Sequence, residues 1–306
     1  MEKRNMKSPI LLTVTAAIWG FAFVAQSVGM EYVGPFTFNC VRNLLGALVL
    51  LPVIFLTGRW ESRKKQGENP ATEAQRKETW RNTLTGGLCC GTLLFISSGA
   101  QQIGMQYTTV GKAGFITAIY IILVPVLGLF FHKRCGLLVW FSVVLAMVGF
   151  YFLTMAGEAS FTKGDAFVLV CAFMFSGHIL CVDHFAPKVN GVKLACLQFL
   201  VCGILSGIAM LAVETPSIAG ILQAWAPILY AGVMSCGVAY TLQIIGQKNY
   251  NPTVAALIMS LESVFSVLAG WLILGQELSG SEVVGCVMIF AGIILAQIPR
   301  EWYVKR

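Results

Sequence analysis

Within the apolar stretch ALIMSLESVFSVLAGWLILG, residues 256–275, stands one ionisable side chain, Glu262. A carboxylate in such surroundings either pairs with a cationic group on a bound molecule or takes up a proton, because burial disfavours its charged form. Its plainer use is structural, capping a broken neighbouring helix or bonding a facing backbone group. His178, inside another apolar stretch, offers an imidazole that either couples to protons near neutral pH or packs between helices with its nitrogens hydrogen-bonded. It also opens the run HILCVDH, residues 178–184, where Asp183 and His184 invite a metal-dependent enzyme reading. On a helix each residue turns about 100°, so positions 178 and 183 stand about 140° apart and share a face poorly. The enzyme reading is set aside on that ground, and no metal or other cofactor is expected. No GxxxxGK[ST] phosphate loop occurs, which argues against ATP-driven work by this polypeptide.

The elements that hold these groups follow from composition. The 306 residues are 57% hydrophobic and only 11% charged, with mean hydropathy +0.77. Soluble domains carry roughly 25% charged residues, so too little charge is present to coat a surface facing water. A lipid-spanning helix needs about 20 mostly apolar residues. That length fits ten segments: 9–30, 36–57, 83–103, 111–131, 135–155, 164–185, 191–213, 225–246, 252–274 and 281–298. The runs are continuous and far longer than the roughly ten-residue alternating strands of a membrane barrel. The expected fold is therefore an all-α polytopic membrane protein. The basic leader MEKRNMKSP precedes an apolar run too long for a secretory signal, so the first span reads as a retained helix.

Lys and Arg concentrate on cytoplasmic flanks. With the N-terminus inside, only Lys112 and Lys163 of the 21 Lys and Arg residues fall outside, and Arg42 lies within the second span. Both termini are expected in the cytoplasm of a cell-membrane protein. The same asymmetry accounts for the net charge of +7 and argues against nucleic acid as a partner. Residues 58–82 mix both charge signs and read as a flexible or amphipathic cytoplasmic linker. The ten cysteines show no CxxC and mostly fall inside spans, so they read as small buried hydrophobes.

The two halves of the chain echo each other. AAIWG (16–20) and FNCVRNLLGALVL (38–50) correspond to AFMFS (172–176) and LACLQFLVCGILS (194–206), pairing Trp19 with Phe175 and Arg42 with Gln198. QQIGMQYTTVGKAGFITAIYIILVPVLG (101–128) corresponds to LQIIGQKNYNPTVAALIMSLESVFSVLA (242–269), pairing Gln102 with Gln243 and Gln106 with Gln247. The expected units are 1–157 and 158–306, of five helices each. Five is odd, so the second unit enters the membrane in the opposite sense, a layout of secondary transporters that puts the site near the midplane.

With AAIWGFAF, FNCVRNLLGALVLLP, YTTVGKAGFITAIYIILVPVLG and LESVFSVLAGWLILGQELSGSEVVGCVMIFAGIILA in this order, the chain resembles the drug/metabolite transporter superfamily, EamA type. The resemblance covers essentially the whole chain. It implies a carrier that commonly exports small metabolites or amino-acid-like compounds through a central cavity between the halves, and it places Trp19, Tyr120 and Tyr240 on cavity-lining helices. The chain departs from that pattern at Ser263, where a proline often follows the glutamate, at HKRC (132–135), where an acidic turn is usual and only Glu277 remains in the second repeat, and in the length of 58–81.

Depth sorts the remaining groups. At about 1.5 Å per residue, Glu262 lies roughly 15 Å from the inner end of its span and His178 about 10 Å from the same side. The two belong to one half and are within reach of one another. Arg42 lies about 10 Å below the outer surface, with Glu31 its nearest acidic partner in sequence. It reads as a structural anchor or a substrate contact. Lys112, at the start of the fourth span, can snorkel outward or sit at a cavity mouth. Gln102 and Gln243 read as hydrogen-bonding glue or substrate donors. Pro125 is a candidate gating kink, and Gly203 with Gly207 forms a GxxxG for close packing or a dimer contact. Trp140, Trp225, Trp302 and Tyr303 suit the interfacial aromatic belt.

The expected function is secondary transport of small organic molecules, working outward by alternating access, with proton coupling through Glu262 as one option and a monomer or homodimer as the assembly. A channel, or a sensor without transport, is the alternative.

Overall fold

A computed structural model describes residues 7–64, 72–108, 110–131, 136–154, 162–274 and 279–298. Lys3, Arg4, HKRC (132–135), Glu277, Arg300, Trp302, Tyr303, Lys305 and Arg306 lie outside the described residues, as do the side chains of 58–64 and of Lys112.

All regular structure among the described residues is helical. The helices are α1 (Lys7–Gly29), α2 (Pro35–Lys64), α3 (Glu73–Met105), α4 (Val110–Ala118), α5 (Tyr120–Phe130), α6 (Leu137–Thr154), α7 (Lys163–Phe185) and α8 (Gly191–Val213). They continue as α9 (Ile218–Gln223), α10 (Trp225–Leu229), a π-helical segment Tyr230–Tyr240, α11 (Thr241–Gln247), α12 (Pro252–Met259), α13 (Leu261–Leu274) and α14 (Gly280–Ala296). Among the described residues seven helical stretches are long and apolar enough to cross a bilayer, and Ile116–Phe130, Leu137–Leu153 and Gly280–Ala296 are shorter apolar helices. Large apolar side chains such as Phe130, Leu137, Leu211 and Ile294 stand exposed on the exterior, as a lipid-facing surface requires.

Local chemistry starts these helices where polar caps precede apolar runs. Thr72 with Gln75, Thr162 with Asp165 and Ser279 with Glu282 form capping boxes, each satisfying two otherwise unpaired backbone N–H groups. Asn251 accepts from the Thr253 and Val254 amides, and Pro252 fills the first helical position of α12, where no N–H is needed. The N-terminus of α2 is capped from afar: Glu214, just beyond α8, accepts from the Phe36 amide at 2.7 Å, the Thr37 amide at 2.9 Å and the Thr37 hydroxyl at 2.6 Å.

Three expected spans are not single α-helices. The span 111–131 breaks at Ile119, where i→i+3 bonds (Ile119 N to Ile116 O, Ile122 N to Ile119 O) tighten the backbone. The span 252–274 breaks at Ser260, whose hydroxyl turns back onto the Leu257 carbonyl at 2.7 Å. The span 225–246 contains the eleven-residue π segment. Pro125, the candidate gating kink, lies inside helix α5, and the interruption of that span falls six residues earlier, at Ile119. The linker expected at 58–82 is largely helix: α2 runs on to Lys64, and α3 begins at Glu73 behind its Thr72 cap. Glu, Arg, Lys and Ala are good helix formers, and charged sequence past the apolar run simply extends the two helices.

The bundle is knit by pairs that join the two ends of the chain. Helix α6 packs on α14, α3 on α7 and α8, α2 on α8 and the π segment, α4 and α5 on α7, and α1 on α13 and α11. Glycine makes two of these crossings close. A Cβ at Gly149 would lie 2.8 Å from the Gly285 carbonyl oxygen on α14, and one at Gly20 would lie 2.7 Å from the Glu262 carbonyl oxygen on α13. Gly203 and Gly207 face Leu44 and Cys40 of α2 in the same chain, so this GxxxG packs internally.

Candidate functional site

Glu262 owes its position to the break at Ser260. It is the second residue of α13, in the first turn, where unpaired N–H groups and the helix dipole favour an acidic side chain. Tyr120 is the first residue of α5, immediately after the break at Ile119. The two restarted helices meet, and the buried Tyr120 hydroxyl stands 3.4 Å from Glu262 Oε1. Gly20 lets α1 close against this point.

Glu262 and Tyr120 line a central cavity of about 40 Å³, room for roughly three waters at one per 10–15 Å³. Its wall comes from both chain halves. Trp19, Gln26, Arg42, Gln101 and Thr117 face Phe175, Ser235, Tyr240, Gln243 and Met259 across it. Polar groups and aromatic faces alternate around the space, which suits a small molecule carrying both charge and an apolar body.

Two of the wall residues, Gln26 and Arg42, belong to a buried polar trio. Gln26 Oε1 accepts from Arg42 Nη1 at 3.0 Å and from Gln102 Nε2 at 3.0 Å. The Arg42 guanidinium also stands 5.6 Å from the Phe38 ring centroid, and its Nε has no hydrogen-bond partner. Arg42 thus takes Gln26 as its partner; Glu31 is not in that contact. Gln102 stands behind the wall as a support for Gln26, and its neighbour Gln101 is the one that lines the space.

On the cavity wall Tyr240 is the hub of an aromatic cluster, with Trp19 at 4.6 Å, Phe199 at 5.6 Å and His178 at 6.0 Å between ring centroids. His178 is fully buried behind Tyr240, away from the cavity wall, with Nε2 3.1 Å from Gln198 Oε1. It therefore contacts Gln198 and Tyr240, while the carboxylate of Glu262 contacts Tyr120. Gln243 reaches the cavity with both amide atoms unpartnered. Pro125 is buried within α5, outside the wall. Of the other members of HILCVDH, His184 approaches Lys188 Nζ at 2.7 Å, five residues along α7 beyond Ile179, which lines the cavity. Among the described residues no three His, Cys, Asp or Glu side chains gather as metal ligands.

Sequence reasoning missed Gln26, Gln101, Thr117 and Ser235. The available signal for Gln26 was an unexplained amide in an apolar helix one turn from its end. For Gln198 the signal was its repeat correspondence to Arg42.

The EamA-like transporter family matches the chain twice, over residues 6–155 and 162–297. An "Uncharacterized transporter" of Archaeoglobus fulgidus is 30% identical over 96% of this chain and 87% of its own length. The "Uncharacterized transporter YoaV" of Bacillus subtilis is 23% identical over 93% and 94%. A crystal structure described only as that of a protein shares the fold, with TM-score 0.75 at 18% identity over 95% of this chain and 96% of its own. An apolar helical bundle enclosing a polar cavity defines a polytopic membrane protein that handles a small molecule. The chain belongs to the EamA-like transporter family of the drug/metabolite transporter type.

Proposed function

We propose that the chain is a secondary carrier that moves small organic molecules, amino-acid-like or drug-like, outward across the cytoplasmic membrane by alternating access. Ten crossings in two inverted units, 1–157 and 158–306, surround the cavity, and both termini face the cytoplasm. The double family match supports the two units. So does the spacing of the breaks: Ile119 and Ser260 are separated by the same 141 residues that relate Gln102 to Gln243. The packing supports the two units as well. Exchanging α1 with α7, α2 with α8, α3 with the π segment and its flanks, and α4–α5 with α12–α13 turns the α1–α13 contact into α7–α5 and the α3–α8 contact into π–α2.

The observation that carries the reading is Glu262, a carboxylate on the wall of a cavity that joins both units. In a bilayer such a group is expensive and marks a pathway for cargo or protons. It holds the cationic group of the cargo or a proton, and Arg42 on the opposite, outer side anchors the wall and can meet an anionic group. Uptake and counterflow of a metabolite panel in proteoliposomes, with and without a pH gradient, tests this. Saturable, counterflow-competent flux is expected. Flux that never saturates is the channel result, and no flux for any panel member under either condition contradicts the reading.

A further inference from the structure

We propose that the cavity has a second, inner polar site, formed by Gln198, His178 and Gln243, which takes a polar cargo molecule when the carrier faces the cytoplasm. This inference rests on the two-unit carrier reading above.

The outer trio is Arg42 and Gln102 joined through Gln26 on the first helix of its unit. The repeat relates Arg42 to Gln198 and Gln102 to Gln243. His178, on the first helix of the second unit and one turn before Val182, the position the repeat relates to Gln26, touches Gln198 much as Gln26 touches Arg42. Helix α11, which carries Gln243, packs on both α7 and α8, which carry His178 and Gln198. An inverted repeat therefore places one trio above Glu262 and its counterpart below.

The two trios differ in their state. Arg42 and Gln26 of the outer trio and Gln243 of the inner one line the cavity, whereas His178 and Gln198 are fully buried behind its wall. The outer set leaves Arg42 Nε and Gln102 Oε1 without hydrogen-bond partners, and the inner set leaves more: His178 Nδ1, Gln198 Nε2 and both amide ends of Gln243, with both ends of Gln247 one turn further along. Buried polar atoms in folded proteins nearly always find a partner. A concentration of unmet donors and acceptors under a closed aromatic layer is what a passage lining looks like when its passage is shut. Tyr240, packed on Trp19, Phe199 and His178, is that layer. The inner site offers amide and imidazole groups where the outer offers a guanidinium, so it fits the neutral hydrogen-bonding part of a small polar cargo, an amide or hydroxyl group.

Accessibility tests this without any cargo. Gln26→Cys, Gln198→Cys and Gln243→Cys are each labelled with a membrane-impermeant methanethiosulfonate, in right-side-out and inside-out vesicles, and read as the increase over the parent chain. Gln26→Cys is expected to label from the outer face alone, and Gln198→Cys and Gln243→Cys from the cytoplasmic face alone. Labelling of the latter two from neither face, or from the outer face, overturns the proposal, as does a Gln26→Cys that labels only from the cytoplasm. If either inner replacement fails to elute as a monodisperse protein, Gln247→Cys answers the same question from one turn nearer the inner end. The result separates from that of the transport reading. Cytoplasmic labelling without saturable flux keeps the inner opening and removes the carrier, whereas saturable flux without that labelling removes the inner site alone.

Discussion

The Tyr120 hydroxyl lies 3.4 Å from Glu262 Oε1, and each residue stands at the restart of a broken helix, Tyr120 after Ile119 and Glu262 after Ser260. The contact joins the N-terminal to the C-terminal half of the chain at the cavity wall. At that separation the bond is a weak one, so its value lies in where it fixes the carboxylate more than in the stability it adds. Tyr120→Phe is expected to leave thermal stability nearly unchanged, at most about 1 kcal/mol lower, while altering the pH profile of transport. A pH profile identical to that of the parent, measured in proteoliposomes, would mean that the hydroxyl does not serve Glu262.

Gly20 is where α1 passes the Glu262 backbone, and any Cβ there meets the Glu262 carbonyl oxygen at 2.7 Å. Backbone oxygen cannot step aside as a side chain can. Gly20→Ala is expected to cost about 1–3 kcal/mol by overpacking, read as a lower unfolding temperature in detergent, with a loss of transport larger than that of Tyr120→Phe. An unshifted unfolding temperature would show that α1 and α13 sit further apart than described.

Gln26 serves both Arg42 and Gln102 through one oxygen. Gln26→Leu strands a buried guanidinium and an amide together, so it is expected to cost about 1.5–3 kcal/mol. Gln102→Leu removes one donor and leaves the Arg42 contact in place, so it is expected to cost less. Equal losses in thermal unfolding would contradict the shared-acceptor arrangement.

Glu214 caps α2 from the end of α8 with three short hydrogen bonds. Removing such a cap costs roughly 0.5–2 kcal/mol. Glu214→Ala is expected to fall in that range, and Glu214→Gln to recover part of it, because an amide oxygen still accepts from the Phe36 and Thr37 amides. Thermal unfolding of both variants checks the order, which would reverse if the carboxylate merely repelled its surroundings.

The all-helical, membrane-spanning class was legible because lipid imposes one rule on every span, a long apolar run, and that rule is written in composition. Glu262 was legible for the same reason, since a charge at mid-depth has no route to water. The partners were not. Which of Gln101 and Gln102 faces the cavity depends on the azimuth of α3, which two adjacent glutamines cannot reveal. Arg42 was matched to the nearest acid in the chain, Glu31, but its partner is an amide on another helix, and neutral amides carry no charge signal to follow. The breaks at Ile119 and Ser260 and the π segment fall at residues other than proline, so no breaker in the sequence marks them.

Transport by Glu262→Gln, reconstituted beside the parent and driven with and without a pH gradient, tests the central claim most directly. The replacement keeps size and one hydrogen-bonding oxygen and removes the charge. Loss of gradient-sensitive transport in a variant that unfolds at the parent's temperature is the predicted result. Full, gradient-sensitive transport by the variant would contradict the account, because the acid on the cavity wall would then carry neither cargo nor proton.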